Sequence, residues 1–160
     1  GKIQQWMDNN SIKYTGSGPK SSELCMNKAR SKEFAELMSI RTPKWQLIKN
    51  IKERIKPQFP VVIKPNKQGS TFGLTIVKNE LQLPAAIKEA FKFGDEIIVE
   101  EYIPGREVTI PILGDEVYPI IEIVPSNELY DFQCKYTPGM TEYICPAKLE
   151  NKLVLLINLE

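Results

Sequence analysis

A lysine followed by a loop rich in glycine and hydroxyl side chains is the stretch of this sequence best suited to chemistry. Lys64 ends an apolar run, and after one proline the loop NKQGSTFG follows at 66–73. Glycine lets backbone N–H groups approach a ligand closely, and a cluster of such groups forms a concave site for anions. Lys64 would add a compact positive charge. The stretch therefore predicts a site for a polyphosphate.

The same loop has a simpler interpretation, which its residues leave open. It lacks the Gly-Lys-Ser/Thr ending of a Walker A loop, and no helix follows it directly, as a dinucleotide-binding fingerprint requires. A glycine-rich loop between two strands is more often only a turn. The neighbouring elements must decide between these two interpretations.

The composition narrows the classes of function. The 160 residues contain no histidine, which excludes Ser-His-Asp and Cys-His catalysis within the chain and most catalytic zinc sites. A formal net charge of +1 gives no reason to expect a nucleic-acid or membrane partner. Cys25, Cys134 and Cys145 lack Cys-x-x-Cys spacing, so we expect reduced thiols of a cytosolic protein. No apolar run could span a bilayer, and no secretory signal is visible.

Strands are expected to position the loop. Short β-branched runs predict a strand at 59–63 before the loop and another at 74–77 after it. Two more strands are predicted at 44–48 and at 96–103, and the second of these becomes acidic. The pattern indicates an α+β fold.

Two helices are predicted before these strands and one between the last two strands. A short one covers 1–10, and a longer one runs from a cap at Ser21 or Ser22 to about Ile40. Spacing places Lys28 in the longer helix as a solvated lysine. A third helix, at 80–93, is predicted to be capped by Asn79 and ended by Gly94. The expected apolar faces are Leu24, Phe34, Leu37 and Met38 on the second helix, and Leu83, Ile87, Ala90 and Phe91 on the third.

The last third of the chain is less regular. Strands at 108–113 and 117–124 predict a hairpin around Gly114-Asp115. The stretch 127–147 has no clean period, and a long irregular loop in a compact domain is usually functional or disordered. A final helix is expected from Leu149 onward, with Leu153, Leu156 and Ile157 on one face.

The order of strand, glycine loop, strand, helix and acidic strand resembles the D-alanine–D-alanine ligase family of ATP-grasp enzymes. The resemblance covers nearly the whole chain, although no single motif would be decisive. It is carried by YTGSG at 14–18, CMNK at 25–28, VIKP at 62–65, QGSTFG at 68–73, VEEYI at 99–103, GRE at 105–107, EIVP at 122–125, YDF at 130–132, KY at 135–136, TE at 141–142 and CPA at 145–147.

The resemblance implies an ATP site between two small α+β subdomains. Lys28 and Lys64 match the lysines that hold the α- and β-phosphates. The loop residues Gly69, Ser70, Thr71 and Phe72 match the lid over the β- and γ-phosphates. The strand residues Glu100, Glu101, Tyr102 and Ile103 match the segment that binds adenine through exposed backbone groups, and Glu107 matches the carboxylate for the ribose hydroxyls. Without the resemblance, we would interpret the three glutamates as a charged edge strand.

The resemblance also implies catalytic residues. The stretch 127–147 is similar to the family's mobile ω-loop, where Lys135 would contact the γ-phosphate on closure. Tyr136 favours an amine as the second nucleophile, whereas packing within the loop is the simpler interpretation of that residue. Ser70 belongs with Lys135 and Tyr136 in the expected catalytic set.

The implied reaction joins two D-alanines with ATP, through an acyl phosphate, for peptidoglycan precursor synthesis in the bacterial cytoplasm. The family uses Mg²⁺ (or Mn²⁺) and commonly dimerises. Its metal-binding Glu-x-Asn and its substrate-binding arginine are not found in this chain. We therefore expect an incomplete ATP-grasp chain that would not turn over alone.

The expected division has three parts. They are the tail of a preceding domain at 1–20, the central ATP-grasp subdomain at 21–106, and an incomplete C-terminal subdomain at 107–160. Another ATP-grasp ligase, a non-catalytic nucleotide-binding module and a purely structural domain remain alternatives.

Overall fold

The computed structural model describes residues 1–157, apart from the side chains of Leu155 and Leu156. The side chain of Leu156, predicted on the apolar face of the last helix, and residues 158–160 of the last predicted domain are therefore outside the described residues. The chain divides into two compact units, Gly1–Tyr102 and Ile103–Glu160, each with its own sheet. The three-part division expected from the sequence stays a prediction.

The first unit begins with three helices where the sequence predicted two. They are α1 Lys2–Asn9, α2 Pro19–Met26 and α3 Lys28–Leu37. The predicted helix start at Ser21 or Ser22 is wrong, because α2 begins at Pro19, whose missing N–H is not needed in a first turn. Asn27 then adopts an extended conformation. Its side chain accepts a hydrogen bond from Arg30 N, so it ends α2 and caps α3.

The break at Asn27 changes the face that α3 buries. Phe34, Leu37 and Met38 were predicted to face the core but are exposed, Leu37 by 82%. The buried and half-buried positions of α3 fall instead on one face that is largely polar. They are Lys28, Ala29, Ser31, Lys32 and Ala35.

A four-stranded antiparallel sheet forms the centre of the first unit. Its strands are β1 Trp45–Ile48, β2 Val61–Pro65, β3 Thr75–Val77 and β4 Ile97–Glu101, in the order β1-β4-β2-β3. The predicted strands on both sides of the glycine loop are confirmed, and so is the acidic strand. Because β4 lies between β1 and β2, Glu100 pairs with Trp45 on one side and with Val62 on the other.

Helix α4, Leu83–Phe91, packs on one face of this sheet. Leu83, Ile87 and Ala90 are buried, as their spacing predicted, and Phe91 is half-buried against the same core. The strands contribute Ile48, Val61, Ile63, Val77, Ile97 and Val99. This side of the sheet is therefore the hydrophobic core of the unit.

The predicted C-cap of the third helix is wrong, and its predicted N-cap residue begins a separate short turn. A 3-10 turn at Glu80–Gln82 precedes α4, and the Asn79 side chain makes no capping hydrogen bond to it. At the other end the cap is Lys92, in the right-handed helical conformation. Glycine is favoured at a helix end where the residue has a left-handed backbone conformation. This helix ends without such a residue, so it does not need Gly94.

The second unit contains a three-stranded antiparallel sheet and a small hairpin. The sheet has the order β5-β8-β9, with β5 Glu107–Thr109, β8 Ile121–Pro125 and β9 Thr141–Ile144, and the hairpin joins β6 Ile112–Leu113 to β7 Glu116–Val117. The hairpin predicted around Gly114-Asp115 is confirmed. It is interrupted near Pro111 and Pro119, because proline cannot donate a hydrogen bond to a strand ladder.

The stretch 127–147 is more regular than predicted. It contains helix α5 Phe132–Tyr136, capped by the Asp131 side chain, and strand β9, which pairs with β8. These elements have five and four residues, too few for a periodic pattern to reveal. The predicted last helix is confirmed as α6 Asn151–Ile157. Within residues 1–157 no helix has the length and apolar character needed to cross a membrane.

Candidate functional site

Lys64 and Glu100 lie together on the sheet face opposite the hydrophobic core. Side chains alternate between the two faces of a strand, so Ile63 and Val99 face α4 while Lys64 and Glu100 face away from it. The two residues are diagonal neighbours on adjacent antiparallel strands, and Lys64 Nζ donates to Glu100 Oε1. The Glu100 side chain is only 8% exposed, so this is a buried ion pair.

A second lysine reaches the same carboxylate from helix α3. Lys32 Nζ lies 2.9 Å from Glu100 Oε2, close enough for an ion pair although not aligned as a hydrogen bond. The ammonium group also donates to Thr42 Oγ1 at 2.6 Å. Sequence reasoning missed Lys32. The available signal was its position four residues after Lys28, which places both lysines on one helix face.

Lys28 lies at the start of α3 and reaches the glycine loop. Its Nζ donates to Gln68 O at 2.5 Å and lies 3.4 Å from Asn66 O. Burial lowers the pKa of the Lys28 ammonium, the charge of Lys64 lowers it further, and Glu100 raises it. The expectation of a solvated helix lysine is therefore wrong. Three lysines and one glutamate give this cluster a formal charge of +2, which favours an anionic ligand.

The buried amide of Asn66 fixes the loop to its surroundings. Its Oδ1 accepts from Ala29 N at 2.9 Å, and its Nδ2 donates to Glu96 Oε2 at 2.9 Å. Its backbone N–H donates to Glu96 O, and its carbonyl accepts from Lys28 N. Hydrogen bonds from Asn66 and Lys67 hold the pKa of the Glu96 carboxyl below its usual value. Sequence reasoning missed Asn66, because a loop asparagine gives no signal of burial.

The glycine loop has an unusual backbone. Ser70 and Thr71 have φ of 50° and 64°, in the left-handed region that residues with a side chain rarely adopt. Gly73 also has a positive φ, of 70°. The Phe72 ring lies 6.1 Å from the Phe93 ring, which fixes one side of the loop. Such strain is concentrated at functional sites.

The end of the sheet away from the glycine loop borders a cleft of about 380 Å³. Glu100, Glu101 and Tyr102, predicted to bind adenine, line it together with aromatic residues that include Trp45 and Phe59. Glu101 N donates to Lys44 O, and Tyr102 N donates to Pro60 O. These two N–H groups are therefore already paired, so recognition of a purine edge would have to use other groups.

In the second unit, Glu107 is exposed on β5 and follows Arg106, which forms an ion pair with Glu122. Arg106 donates to both oxygens of Glu122, from Nε at 2.6 Å and from one terminal nitrogen at 2.5 Å. Hydrogen bonding from Arg106 holds the pKa of the Glu122 carboxyl below its usual value. Since Glu122 lies on β8, the pair joins the start of β5 to its neighbouring strand.

Lys135 and Tyr136 lie on α5 within an aromatic cluster. Lys135 Nζ is 5.0 Å from the centroid of the Tyr130 ring, and the Tyr136 ring is 4.6 Å from that of Phe132. The hydroxyls of Tyr130 and Tyr143 are 2.5 Å apart, and this hydrogen bond raises the pKa of Tyr130 to about 12. Lys135 and Tyr136 thus lie among aromatic rings that meet in tilted and edge-to-face arrangements.

Comparison with known sequences decides the relationship. The family model described as "D-ala D-ala ligase C-terminus" matches residues 29–158, which is most of the chain. The chain belongs to the D-alanine–D-alanine ligase family. It is 40% identical over 161 aligned residues to a D-alanine--D-alanine ligase of Halalkalibacterium halodurans, a match that covers 95% of this chain and 53% of that protein. The chain spans about half the length of the curated ligases it matches.

Solved structures of the ligase family confirm the ATP-grasp fold. A D-alanine–D-alanine ligase from Bacillus anthracis matches with a TM-score of 0.83 and 31% identity, covering 99% of this chain and 54% of that one. The same protein has been solved in complex with ATP. The VanG D-Ala:D-Ser ligase from Enterococcus faecalis matches with a TM-score of 0.81 and 34% identity, covering 98% and 49% of the two chains.

Proposed function

We propose that this chain is the ATP-binding part of an enzyme that joins two D-alanines to D-alanyl-D-alanine for peptidoglycan synthesis. The observation that carries the proposal is the convergence of three lysines. Lys32 and Lys64 contact Glu100, and Lys28 contacts the glycine loop near enough to Lys64 to be affected by its charge. The cluster is positively charged and partly buried, as a site for a polyphosphate must be. Membership of the ligase family supports ATP as the phosphorylated ligand and D-alanine as the substrate.

Lys28 and Lys64 would bind the α- and β-phosphates, and Gly69, Ser70, Thr71 and Phe72 would cover the β- and γ-phosphates. Ammonium groups in a partly buried site interact strongly with phosphate oxygens, because the local dielectric constant is lower than that of water. ATP would supply the γ-phosphoryl group that activates the first D-alanine carboxylate for attack by an amine. The contribution of the protein is then positioning and charge neutralisation, which agrees with a chain without histidine.

The second unit would supply three further residues. We propose Glu107 for the ribose hydroxyls, Lys135 for the γ-phosphate and Tyr136 for selection of an amine acceptor. Glu100, Glu101, Tyr102 and Ile103 remain the proposed adenine segment. The cleft beside the first three supports this assignment, although Glu100 Oε1 and Oε2 are directed to lysines.

The proposed reaction also involves Mg²⁺ or Mn²⁺, which the family uses. Within residues 1–157 no group of three or more acidic, histidine or cysteine side chains is placed to hold an ion. The absence of ligands for this ion from the chain stays a prediction.

D-serine is a second candidate for the acceptor. The D-Ala:D-Ser ligase VanG is as similar in structure to this chain as the D-alanine–D-alanine ligases are. Both acceptors present an amine, so the Tyr136 argument does not separate them. We further propose a bacterial cytoplasmic enzyme that acts on small molecules, not on nucleic acid or membranes, and that can form a homodimer.

The proposal is tested on the whole protein that carries this sequence. ATP binding is measured by calorimetry, and phosphate release is measured with D-alanine, D-serine or D-lactate as acceptor. Replacing Lys64 by alanine should weaken ATP binding by about tenfold or more, the loss expected for one charge-assisted hydrogen bond. Lys88→Ala, which removes an exposed lysine from α4, is the matched control and should bind normally.

Three outcomes separate the alternatives. Phosphate release that depends on D-alanine supports the ligase. ATP binding without release for any acceptor would instead indicate a nucleotide-binding module. A folded protein that does not bind ATP, or a Lys64→Ala variant that binds as well as Lys88→Ala, would refute the proposal.

A further inference from the structure

Glu100 is a buried carboxylate shared by two ammonium groups from different elements. Lys64 on β2 bonds to Oε1, and Lys32 on α3 lies 2.9 Å from Oε2. Oε2 accepts no hydrogen bond from the residues that the structure describes, so Lys32 acts on it mainly through charge. Glu100 therefore has one hydrogen-bonded cation and one cation that is held beside it.

The two lysines are held in different ways. Lys32 has a second partner, Thr42 Oγ1 at 2.6 Å, and its side chain is 12% exposed. Lys64 is 19% exposed and lies two residues before the loop that begins at Asn66. Lys32 is thus fixed between α3, Thr42 and β4, whereas Lys64 is the cation placed to reach a ligand at the loop.

A phosphate ligand would compete with Glu100 for the Lys64 ammonium group. To bind a phosphate strongly, the Lys64 ammonium must weaken its bond to Glu100. A buried carboxylate that loses its only cation is strongly unfavourable. With Lys32 in place, Glu100 keeps a counter-charge when Lys64 turns to the ligand.

We propose that Lys32 is a positioning residue, which neutralises Glu100 so that Lys64 can exchange this carboxylate for a phosphate. The inference rests on the proposed function, because it assumes a phosphate ligand at the loop. A different role would give the same static contacts: Lys32 could serve only to join α3 to the sheet. The two roles differ in what happens when Glu100 is removed as well.

The test measures the affinity of the whole protein for tripolyphosphate and for ATP by calorimetry. Tripolyphosphate carries no base, so removal of Glu100 cannot act on it through adenine. The variants are Lys32→Gln, Lys32→Arg, Glu100→Gln and the double variant Lys32→Gln/Glu100→Gln. Arg30→Gln is the matched control, since it removes an exposed charge from the same helix. Circular dichroism checks that each variant is folded.

Lys32→Gln should weaken tripolyphosphate binding by roughly tenfold, because Lys64 is then held by Glu100. Lys32→Arg keeps the charge and should bind more tightly than Lys32→Gln. Glu100→Gln should bind at least as well as the wild type. The double variant should recover most of the loss, since Lys64 no longer has a competing carboxylate. A helix-joining role predicts the opposite, a double variant as weak as Lys32→Gln or weaker.

Failure of the inference about Lys32 can be distinguished from failure of the proposed function. If the wild type binds and Lys64→Ala does not, but Lys32→Gln binds normally or the double variant shows no recovery, the inference is overturned and the proposed function stands. If Lys32→Gln does not fold, the double variant is compared with Lys32→Arg and Glu100→Gln instead. The proposal expects it to bind tripolyphosphate nearly as well as they do, and a helix-joining role expects it to bind more weakly. Absence of binding by the folded wild type overturns both.

Discussion

Gly73 is the last residue of the glycine loop, and its replacement by alanine tests how closely its backbone approaches Pro65 and Phe93. An ideal Cβ at this position would lie 2.7 Å from Phe93 Cδ2 and 3.0 Å from Pro65 Cγ. The φ of 70° is also unfavourable for alanine. The left-handed conformation costs about 1–2 kcal/mol and overpacking about 1–3 kcal/mol, so we expect the free energy of unfolding to fall by about 2–5 kcal/mol.

The control is Gly69→Ala in the same loop. A Cβ there meets no atom within 4 Å, and its φ lies outside the left-handed region, so the change should stay within about 0.5 kcal/mol. Urea unfolding of both variants gives the comparison. In a Phe93→Leu background, Gly73→Ala should lose less, because the nearest ring atoms are gone. Equal stability of the Gly73 and Gly69 variants would refute the close approach of Gly73 to Pro65 and Phe93.

Two further predictions concern the polar groups that fix each unit. Asn66→Ala removes the acceptor for Ala29 N and the donor to Glu96, so it should cost at least about 2 kcal/mol in urea unfolding, and a loss below about 1 kcal/mol would contradict this role. Arg106 lowers the pKa of Glu122, so their pair stabilises the fold above the ordinary carboxyl pKa and less as pH falls through the lowered one. The stability lost in Arg106→Gln should therefore shrink on acidification, and a pH-independent difference would exclude this linkage.

Local patterns predicted the elements that carry the loop. The β-branched runs before and after it are strands, and the spacing of Leu83, Ile87 and Ala90 identified the buried face of α4. These features depend on periods of two and 3.6 residues, which a sequence shows directly. The lysine and glycines of the loop were likewise visible as residue types.

Tertiary contacts decided what the patterns did not show. Asn27 is compatible with a helix interior, and only its extended backbone makes it a cap between α2 and α3. That break turns Lys28 and Lys32 inward and leaves Phe34 exposed, the reverse of the apolar pattern. The burial of Asn66 likewise depends on partners 30 and 37 residues away. Polar groups that are buried by distant partners have no local signature.

The lysine cluster links the stability of the fold to the proposed binding of an anion. Two ammonium groups contact one buried carboxylate, and burial together with the charge of Lys64 disfavours the charged form of a third, that of Lys28. Well-packed apolar side chains in place of a buried ion pair are often neutral or more stable by about 1–4 kcal/mol. Folding alone therefore gives no reason for the excess positive charge. The proposed phosphate ligand gives one, because the lysine charges that repel one another would all attract an anion.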